Sequence, residues 1–130
     1  AAMRMVEAGG FDFVGHADKI SYNAGICQPD LFRQGWFTDM LKEYFTLIAE
    51  RGIMMEINTK AFLRKGRFFP DIRHFAFIRA LGIPVLVNSD AHRPDLINAG
   101  RAEALQALKE AGFHTVRQLQ GGKWIDVPIA

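Results

Sequence analysis

An aspartate and a histidine two residues apart follow an apolar run in the last third of the chain. The run 83–88 is typical of a buried strand, and Asp90 and His92 come directly after it. If the extended geometry continues, the two side chains lie on the same side of the chain and can converge on one point. A carboxylate oxygen beside an imidazole nitrogen suits a divalent transition metal. The alternative is an ordinary loop in which Asp90 caps a turn and His92 is solvated.

Two earlier predicted strands also end in polar side chains. The first ends at His16, with Asp18 close behind it, and the second ends at Glu56 and Asn58. In α/β sheets and barrels, ligands bind at the carboxyl ends of the strands. Because three successive strands deliver such groups to one rim, the sequence predicts a metal site there.

Two further histidines are expected to have no part in that site. His74 falls inside a predicted helix, and His114 follows a helix stop on the opposite, amino-end rim. Both are predicted to be structural or solvated.

Strands and helices must alternate along the chain to bring these residues together. The sequence predicts strands over 11–16, 53–58 and 83–88, helices over 36–51, 71–81 (with Asp71 as N-cap) and 101–111, a β-hairpin over 115–129, and loops over 17–34 and 59–70. Repeated strand–helix–strand units imply parallel strands with right-handed crossovers. The predicted fold class is therefore α/β, in a single domain over residues 1–130.

The composition excludes several classes of protein. Hydrophobic residues make up 49% of the 130 residues, so the chain can build a core and is not disordered as a whole. The net charge is only +2, and a nucleic-acid partner is not indicated. The single cysteine, Cys27, favours a reducing compartment. Since no apolar run could span a membrane and no signal peptide is evident, we expect a cytoplasmic protein with no membrane partner.

Three motifs, in this order and at this spacing, resemble the C-terminal half of a PHP (polymerase and histidinol phosphatase) domain. They are Gly-His-Ala-Asp at 15–18, Glu-Ile-Asn-Thr at 56–59 and Ser-Asp-Ala-His-Arg-Pro at 89–94. The resemblance covers essentially the whole chain and is greatest to the histidinol-phosphatase branch. It implies part of a distorted, TIM-like (β/α)7 barrel whose N-terminal half would lie upstream of this chain. Residues 1–8, which are good helix formers without an N-cap, look like the end of a helix that begins elsewhere.

The resemblance also implies metal ligands. It assigns up to three divalent ions (Zn, Mn or Fe) to the full-length site, with Asp90 on the first, His16 on the second and His92 on the third. The position of Glu56 does not match the family's bridging carboxylate. Glu56 and Asn58 are therefore expected to support the ligands or to serve the structure.

The implied chemistry is hydrolysis of a small phosphorylated substrate, most specifically L-histidinol phosphate in histidine biosynthesis. Asp18 is a candidate for the general acid, while Lys19 and Arg93 adjoin the ligand motifs and are candidates for phosphate binding; solvated charges are the alternative. The N-terminal half of the same barrel is the expected partner, without which the chain should be inactive. A homo-oligomer is a further possible assembly. Alternative functions are another PHP phosphoesterase (a nucleotide or phosphoprotein phosphatase, or a nuclease) and a degenerate, non-catalytic PHP domain.

Overall fold

Alternating apolar segments produce a mixed α/β fold in the computed structural model, which describes residues 1–130. The α-helices are α1 (Ala2–Ala8), α2 (Lys19–Cys27), α3 (Gly35–Glu50), α4 (Phe62–Lys65), α5 (Phe75–Ala80) and α6 (Arg101–Glu110). The strands are β1 (Phe13–Val14), β2 (Met54–Asn58), β3 (Val85–Asn88), β4 (Thr115–Gln120) and β5 (Lys123–Pro128). No helix has the combined length and apolar character that crossing a membrane requires.

Strands β1, β2 and β3 form a parallel three-stranded sheet in chain order. The register pairs Val14 with Met55 and Asn58 with Asn88, so the carboxyl ends of neighbouring strands lie at the same edge. The predicted parallel arrangement is confirmed for these strands. The barrel that the PHP resemblance implies stays a prediction.

The two faces of this sheet differ in chemistry. One face carries apolar side chains that belong to the main core, namely Val14, Met55, Ile57, Val85 and Val87. The register places Phe13, Met54 and Leu86 on the opposite face, followed toward the carboxyl ends by Glu56, Asn58 and Asn88. The side-chain alternation of the strands thus separates a packing face from a face with polar strand ends.

The main core lies between the apolar face of the sheet and the helices. Its largest helical contributions are Phe45 and Ile48 from α3, Phe75 and Ile78 from α5, and Leu108 from α6, all of which are fully buried. The helices predicted over 36–51 and 101–111 are confirmed to within about two residues at their ends.

The predicted β-hairpin is also confirmed. Strands β4 and β5 pair antiparallel, and Gly121 and Gly122 at the turn have φ of 55° and 76°. A two-residue turn with both φ values positive matches the twist of the flanking strands. Trp124 of β5 packs edge-on against Phe13 with ring centroids 6.0 Å apart, which joins the hairpin to β1.

Two segments predicted as loops contain helices, and this part of the prediction is wrong. The segment 17–34 contains α2, and the segment 59–70 contains α4. Helix α2 buries only Ser21, whereas Ile20 and Ile26 are exposed, so no apolar stripe marks the helix in the sequence. Helix α4 spans only four residues, which is too short to show a period.

The helix predicted over 71–81 has a different start from the one expected. A 3₁₀ turn over Ile72–His74 precedes α5. Asp71 acts as the predicted N-cap, because its carboxylate accepts a hydrogen bond from the backbone N–H of Arg73 at 3.0 Å.

Replacing Ile57 with alanine should lower the free energy of unfolding by about 2–5 kcal/mol, because the side chain is completely buried in the core. Urea unfolding followed by circular dichroism measures the change. Ile97→Ala is the matched control, since that isoleucine is 66% exposed, and it should cost less than about 0.5 kcal/mol. Equal losses in the two variants would contradict this assignment of the core.

Candidate functional site

Glu56 ties together the carboxyl ends of the three parallel strands. Its Oε2 accepts hydrogen bonds from the backbone N–H of His16 at 2.8 Å and from Asn58 Nδ2 at 3.3 Å, and its Oε1 accepts from Asn88 Nδ2 at 3.2 Å. A buried carboxylate needs such donors to offset its lost hydration. A Cβ on Gly15 would lie 3.2 Å from Oε2, so glycine at that position leaves room for the carboxylate.

His16 and Asp90 share an uncommon backbone conformation. Their φ values are 32° and 48°, and they are the only non-glycine residues in the chain with positive φ. Such conformations are uncommon for non-glycine residues and concentrate at functional sites, where the surrounding structure holds them. Two of the three residues nominated as metal ligands are thus the two non-glycine residues with positive φ, and His92 is not among them.

His16 and Asp90 line one concave surface at the strand ends, which we call the strand-end cleft. Its lining residues are Gly15, His16, Glu56, Asn58, Asn88, Ser89 and Asp90. The predicted convergence of the three strand ends is therefore seen in the geometry, and every side chain around this cleft is polar or absent.

Polar contacts from the end of β2 position the carboxylate of Asp90. Asn58 Nδ2 and Lys60 Nζ each lie 3.4 Å from Asp90 Oδ2. Burial alone would raise the pKa of Asp90, but the hydrogen bond from Asn58 and the charge of Lys60 outweigh burial and lower that pKa. The Asp90 carboxylate is therefore ionised at neutral pH and available to a cation.

His92 lies beside Asp90, mostly exposed to solvent. Its Nδ1 is 2.9 Å from the backbone oxygen of Asp90, and its Nε2 is 3.4 Å from Lys60 Nζ. The ammonium group thus stands between a carboxylate oxygen and an imidazole nitrogen. A carboxylate oxygen and an imidazole nitrogen are donor types that suit a divalent transition metal.

The chain by itself supplies only part of a metal coordination sphere. No group of three or more His, Cys, Asp or Glu side chains is arranged to hold an ion. His16, Asp90 and His92 therefore do not form one three-ligand cluster, and an ion held here would need further donors.

A basic cavity adjoins the strand-end cleft and shares His16, Asn58 and Asp90 with it. We define it by its four cationic residues, Lys19, Lys60, Arg64 and Lys65. This excess of positive charge favours an anion such as a phosphate group.

Of the two predicted phosphate-binding residues, the structure brings only Lys19 into the basic cavity. The guanidinium of Arg93 forms an ion pair with Asp95 at 2.9 Å and lines a neighbouring depression beside His92. Sequence reasoning missed Tyr22 in the wall of the basic cavity because α2 was predicted as a loop. Its spacing of three residues from Lys19 places both on one face of a helix, so recognising α2 would have found it.

Asp18 lies beneath the rim and lines neither the strand-end cleft nor the basic cavity. It is 1% exposed, its Oδ2 accepts a hydrogen bond from the backbone N–H of Asp71 at 2.9 Å, and the same oxygen lies 3.7 Å from Nε2 of His74. Burial raises the pKa of Asp18 to about 6. The proton-donor role predicted for Asp18 therefore lacks a contact with the surface where a substrate would bind.

His74 and His114, expected to have no part in the site, line neither the strand-end cleft nor the basic cavity. His74 is packed edge-on against Phe45, with ring centroids 5.5 Å apart, and burial lowers its pKa to about 4. His114 is exposed and lies beside Ile83 and Pro84, at the amino-terminal end of β3.

Comparison with known proteins does not assign the chain to a family. No protein-family model matches it, and no curated protein matches it either. The PHP resemblance therefore rests on the three motifs and remains a prediction.

Asp18 and His74 should have opposite effects on how the free energy of unfolding varies with pH. The two effects offset each other in the wild type, so replacing either residue should reveal the effect of the other. In the folded protein at pH 5, Asp18 keeps a proton that it loses on unfolding, because its pKa is about 6 rather than 3.8. His74 lacks a proton that it gains on unfolding, because its pKa is about 4 rather than 6.5. The first effect favours the folded state at low pH and the second favours it at high pH.

Relative to wild type, Asp18→Asn should therefore gain stability as the pH rises from 4 to 6, and His74→Phe should lose stability over the same window. Each slope should approach about 1.4 kcal/mol per pH unit. Chemical denaturation at several pH values measures these differences, and the double variant should show neither slope. Slopes of the same sign in the two single variants would contradict the assignment.

Proposed function

We propose that this protein is a metal-dependent phosphoesterase that hydrolyses a small phosphomonoester. The observation that carries the proposal is the shared wall between the strand-end cleft and the basic cavity. His16 and Asp90, both with positive φ, belong to that wall, and four lysine and arginine side chains line the cavity beyond it. Phosphoryl transfer depends on positioning and on neutralising the phosphoryl oxygens, and this arrangement supports both.

The resemblance to PHP domains supports a more specific assignment. On that basis the substrate is L-histidinol phosphate, the pathway is histidine biosynthesis, and the chain forms the C-terminal part of a (β/α)7 barrel. The N-terminal half of that barrel would supply the remaining metal donors, which agrees with the incomplete donor set of this chain. The exposed, unpaired Cys27 supports a reducing compartment such as the cytoplasm.

The residues at the strand ends would hold divalent metal ions, up to three in the complete site, with His16, Asp90 and His92 as ligands. When bound, such ions supply Lewis-acid chemistry that activates water and neutralises charge on phosphoryl oxygens. Glu56 fixes the backbone of His16, and Asn58 orients the carboxylate of Asp90. These supporting contacts set the ligand geometry before binding.

The cations of the basic cavity would bind the phosphate group itself. Lys19 and Arg64 are exposed on the cavity wall and are not held in ion pairs. The side chain of Lys65 is oriented by Tyr22, whose hydroxyl accepts its hydrogen bond and whose ring centroid lies 3.9 Å from Nζ. Arg93 does not line this cavity, and its guanidinium forms an exposed ion pair with Asp95.

A PHP-like domain that binds ligands without catalysis is the second candidate. The absence of a three-donor group and the presence of Lys60 between Asp90 and His92 favour it. Other PHP activities, on nucleotides or phosphoproteins, would use the same residues, whereas a nuclease would need a denser basic surface than a net charge of +2 provides.

The proposal is tested by measuring phosphate release from L-histidinol phosphate by the full-length protein, which would include the N-terminal half of the barrel. The assay compares Mn²⁺, Zn²⁺ and Fe²⁺ with a metal-free sample and includes nucleoside monophosphates as competing substrates. We expect metal-dependent turnover with a preference for L-histidinol phosphate. Preference for a nucleotide would overturn the substrate, and phosphate binding without turnover under any metal would favour the non-catalytic domain.

In the same assay, Asp90→Asn should lower kcat/KM by about 100-fold or more, because even residues that only support a metal ligand account for 10–100-fold. Metal content measured by elemental analysis should fall with it. His114→Gln is the control, since His114 is exposed at the opposite end of the strands, and it should change neither quantity. Similar losses in both variants would mean that the strand-end cleft is not the active site.

A further inference from the structure

Lys60 occupies a position that neither the motifs nor the resemblance assigns. It follows β2, and its backbone N–H donates to Asn58 Oδ1 at 3.0 Å. This hydrogen bond holds the backbone from which the Lys60 side chain extends. Its Nζ lies 3.4 Å from Asp90 Oδ2 and 3.4 Å from His92 Nε2. One ammonium group thus faces two groups that are predicted to bind metal.

The contacts of His92 determine which of its ring nitrogens carries hydrogen. An ammonium group can only donate, so Nε2 must present its lone pair to Lys60. The hydrogen then resides on Nδ1, which donates to the backbone oxygen of Asp90 at 2.9 Å. A backbone carbonyl that accepts from one ring nitrogen while the other faces a cation is the arrangement of a metal-ligating histidine.

We propose that the Lys60 ammonium is the resident cation between Asp90 and His92 and competes with the metal ions that these two residues would hold. On metal binding, Lys60 moves to the anion in the basic cavity. This inference rests on the proposed function, since it requires metal at Asp90 and His92 and phosphate in the cavity.

Exposure and placement of Lys60 support the exchange. Its side chain is 46% exposed and lines both the basic cavity and the depression that contains His92. A flexible four-carbon side chain can pass from one to the other by rotation about its own bonds. A divalent ion at either Asp90 or His92 would repel the ammonium group between them, because two positive charges at contact distance repel strongly.

The exchange links the two ligands of the site. In the metal-free protein, Lys60 neutralises Asp90 and is withheld from the basic cavity. After metal binding, the same charge adds to those of Lys19, Arg64 and Lys65 and strengthens the attraction for phosphate. By thermodynamic reciprocity, phosphate then raises the affinity for metal by the same factor.

Isothermal titration calorimetry on the intact protein tests the exchange with two probes, Mn²⁺ alone and inorganic phosphate at saturating Mn²⁺. Lys60→Met should bind Mn²⁺ about tenfold more tightly than wild type, because the competing charge is gone. It should bind phosphate about tenfold more weakly, because a charged donor is lost. Lys65→Met is the matched control for Mn²⁺, since Lys65 lines the same cavity but contacts Tyr22, and its Mn²⁺ affinity should stay near that of wild type.

Unchanged, weaker or absent Mn²⁺ binding in Lys60→Met would overturn the resident-cation role. Tighter Mn²⁺ binding with unchanged phosphate affinity would overturn the movement of Lys60 to the anion. Should Lys60→Met not fold, Lys60→Gln carries the same expectations.

Long-range ¹H–¹⁵N NMR of the His92 ring in the metal-free wild type gives an independent readout. We expect the hydrogen on Nδ1, and a hydrogen on Nε2 would overturn the inferred contact with Lys60. None of these measurements depends on turnover. A protein without phosphatase activity would therefore reject the proposed function while leaving the role of Lys60 to be decided by binding.

Discussion

The geometry of the strand ends depends on one buried carboxylate, that of Glu56. It accepts hydrogen bonds from the end of β1, from Asn58 on its own strand and from Asn88 on β3. A buried charge is tolerated only when such donors surround it, and the same donors become immobilised by it. Through Asn58 the network reaches Asp90, so Glu56 helps to position both His16 and Asp90, although they follow different strands.

A second group of charged residues, around Asp18 and Asp71, shows how hydrogen bonds and burial together set the pKa of a carboxyl group. Burial alone would raise the pKa of Asp71, but hydrogen bonds from Arg73 and the charges of Arg73 and Arg67 outweigh it and lower that pKa. Burial and the nearby Asp71 charge raise the pKa of Asp18, and they outweigh the backbone hydrogen bonds and the charge of Arg67, which lower it. The pKa values of two neighbouring carboxyl groups are thus shifted in opposite directions, because only Asp71 forms ion pairs with arginines. The hydrogen bond from the backbone N–H of Asp71 to Asp18 joins the β1–α2 connection to the 3₁₀ turn that precedes α5.

Much of the fold could be predicted from the sequence because the local pattern of apolar and glycine residues indicates where the main helices, strands and turns lie. Helix α3 has an apolar stripe, β3 is a short apolar run, and Gly121 with Gly122 supports the hairpin turn. Helix α2 escaped prediction because its apolar residues are exposed and leave no stripe. For the site, the motifs nominated His16, Asp90 and His92, and the parallel order of the strands brought His16 and Asp90 to one cleft.

The sequence by itself determined the types of residue at the strand ends and the order in which the strands deliver them, because both follow from local pattern. Only the tertiary structure decided which of those residues face one another. It withdrew Asp18 from the surface, paired Arg93 with Asp95, and set Lys60 between Asp90 and His92. The contacts of Asp18 and Lys60 join residues far apart in sequence, whereas Arg93 and Asp95 are only two residues apart. The geometry of all of these contacts depends on register, burial and side-chain rotation. A linear pattern of residue types contains none of these.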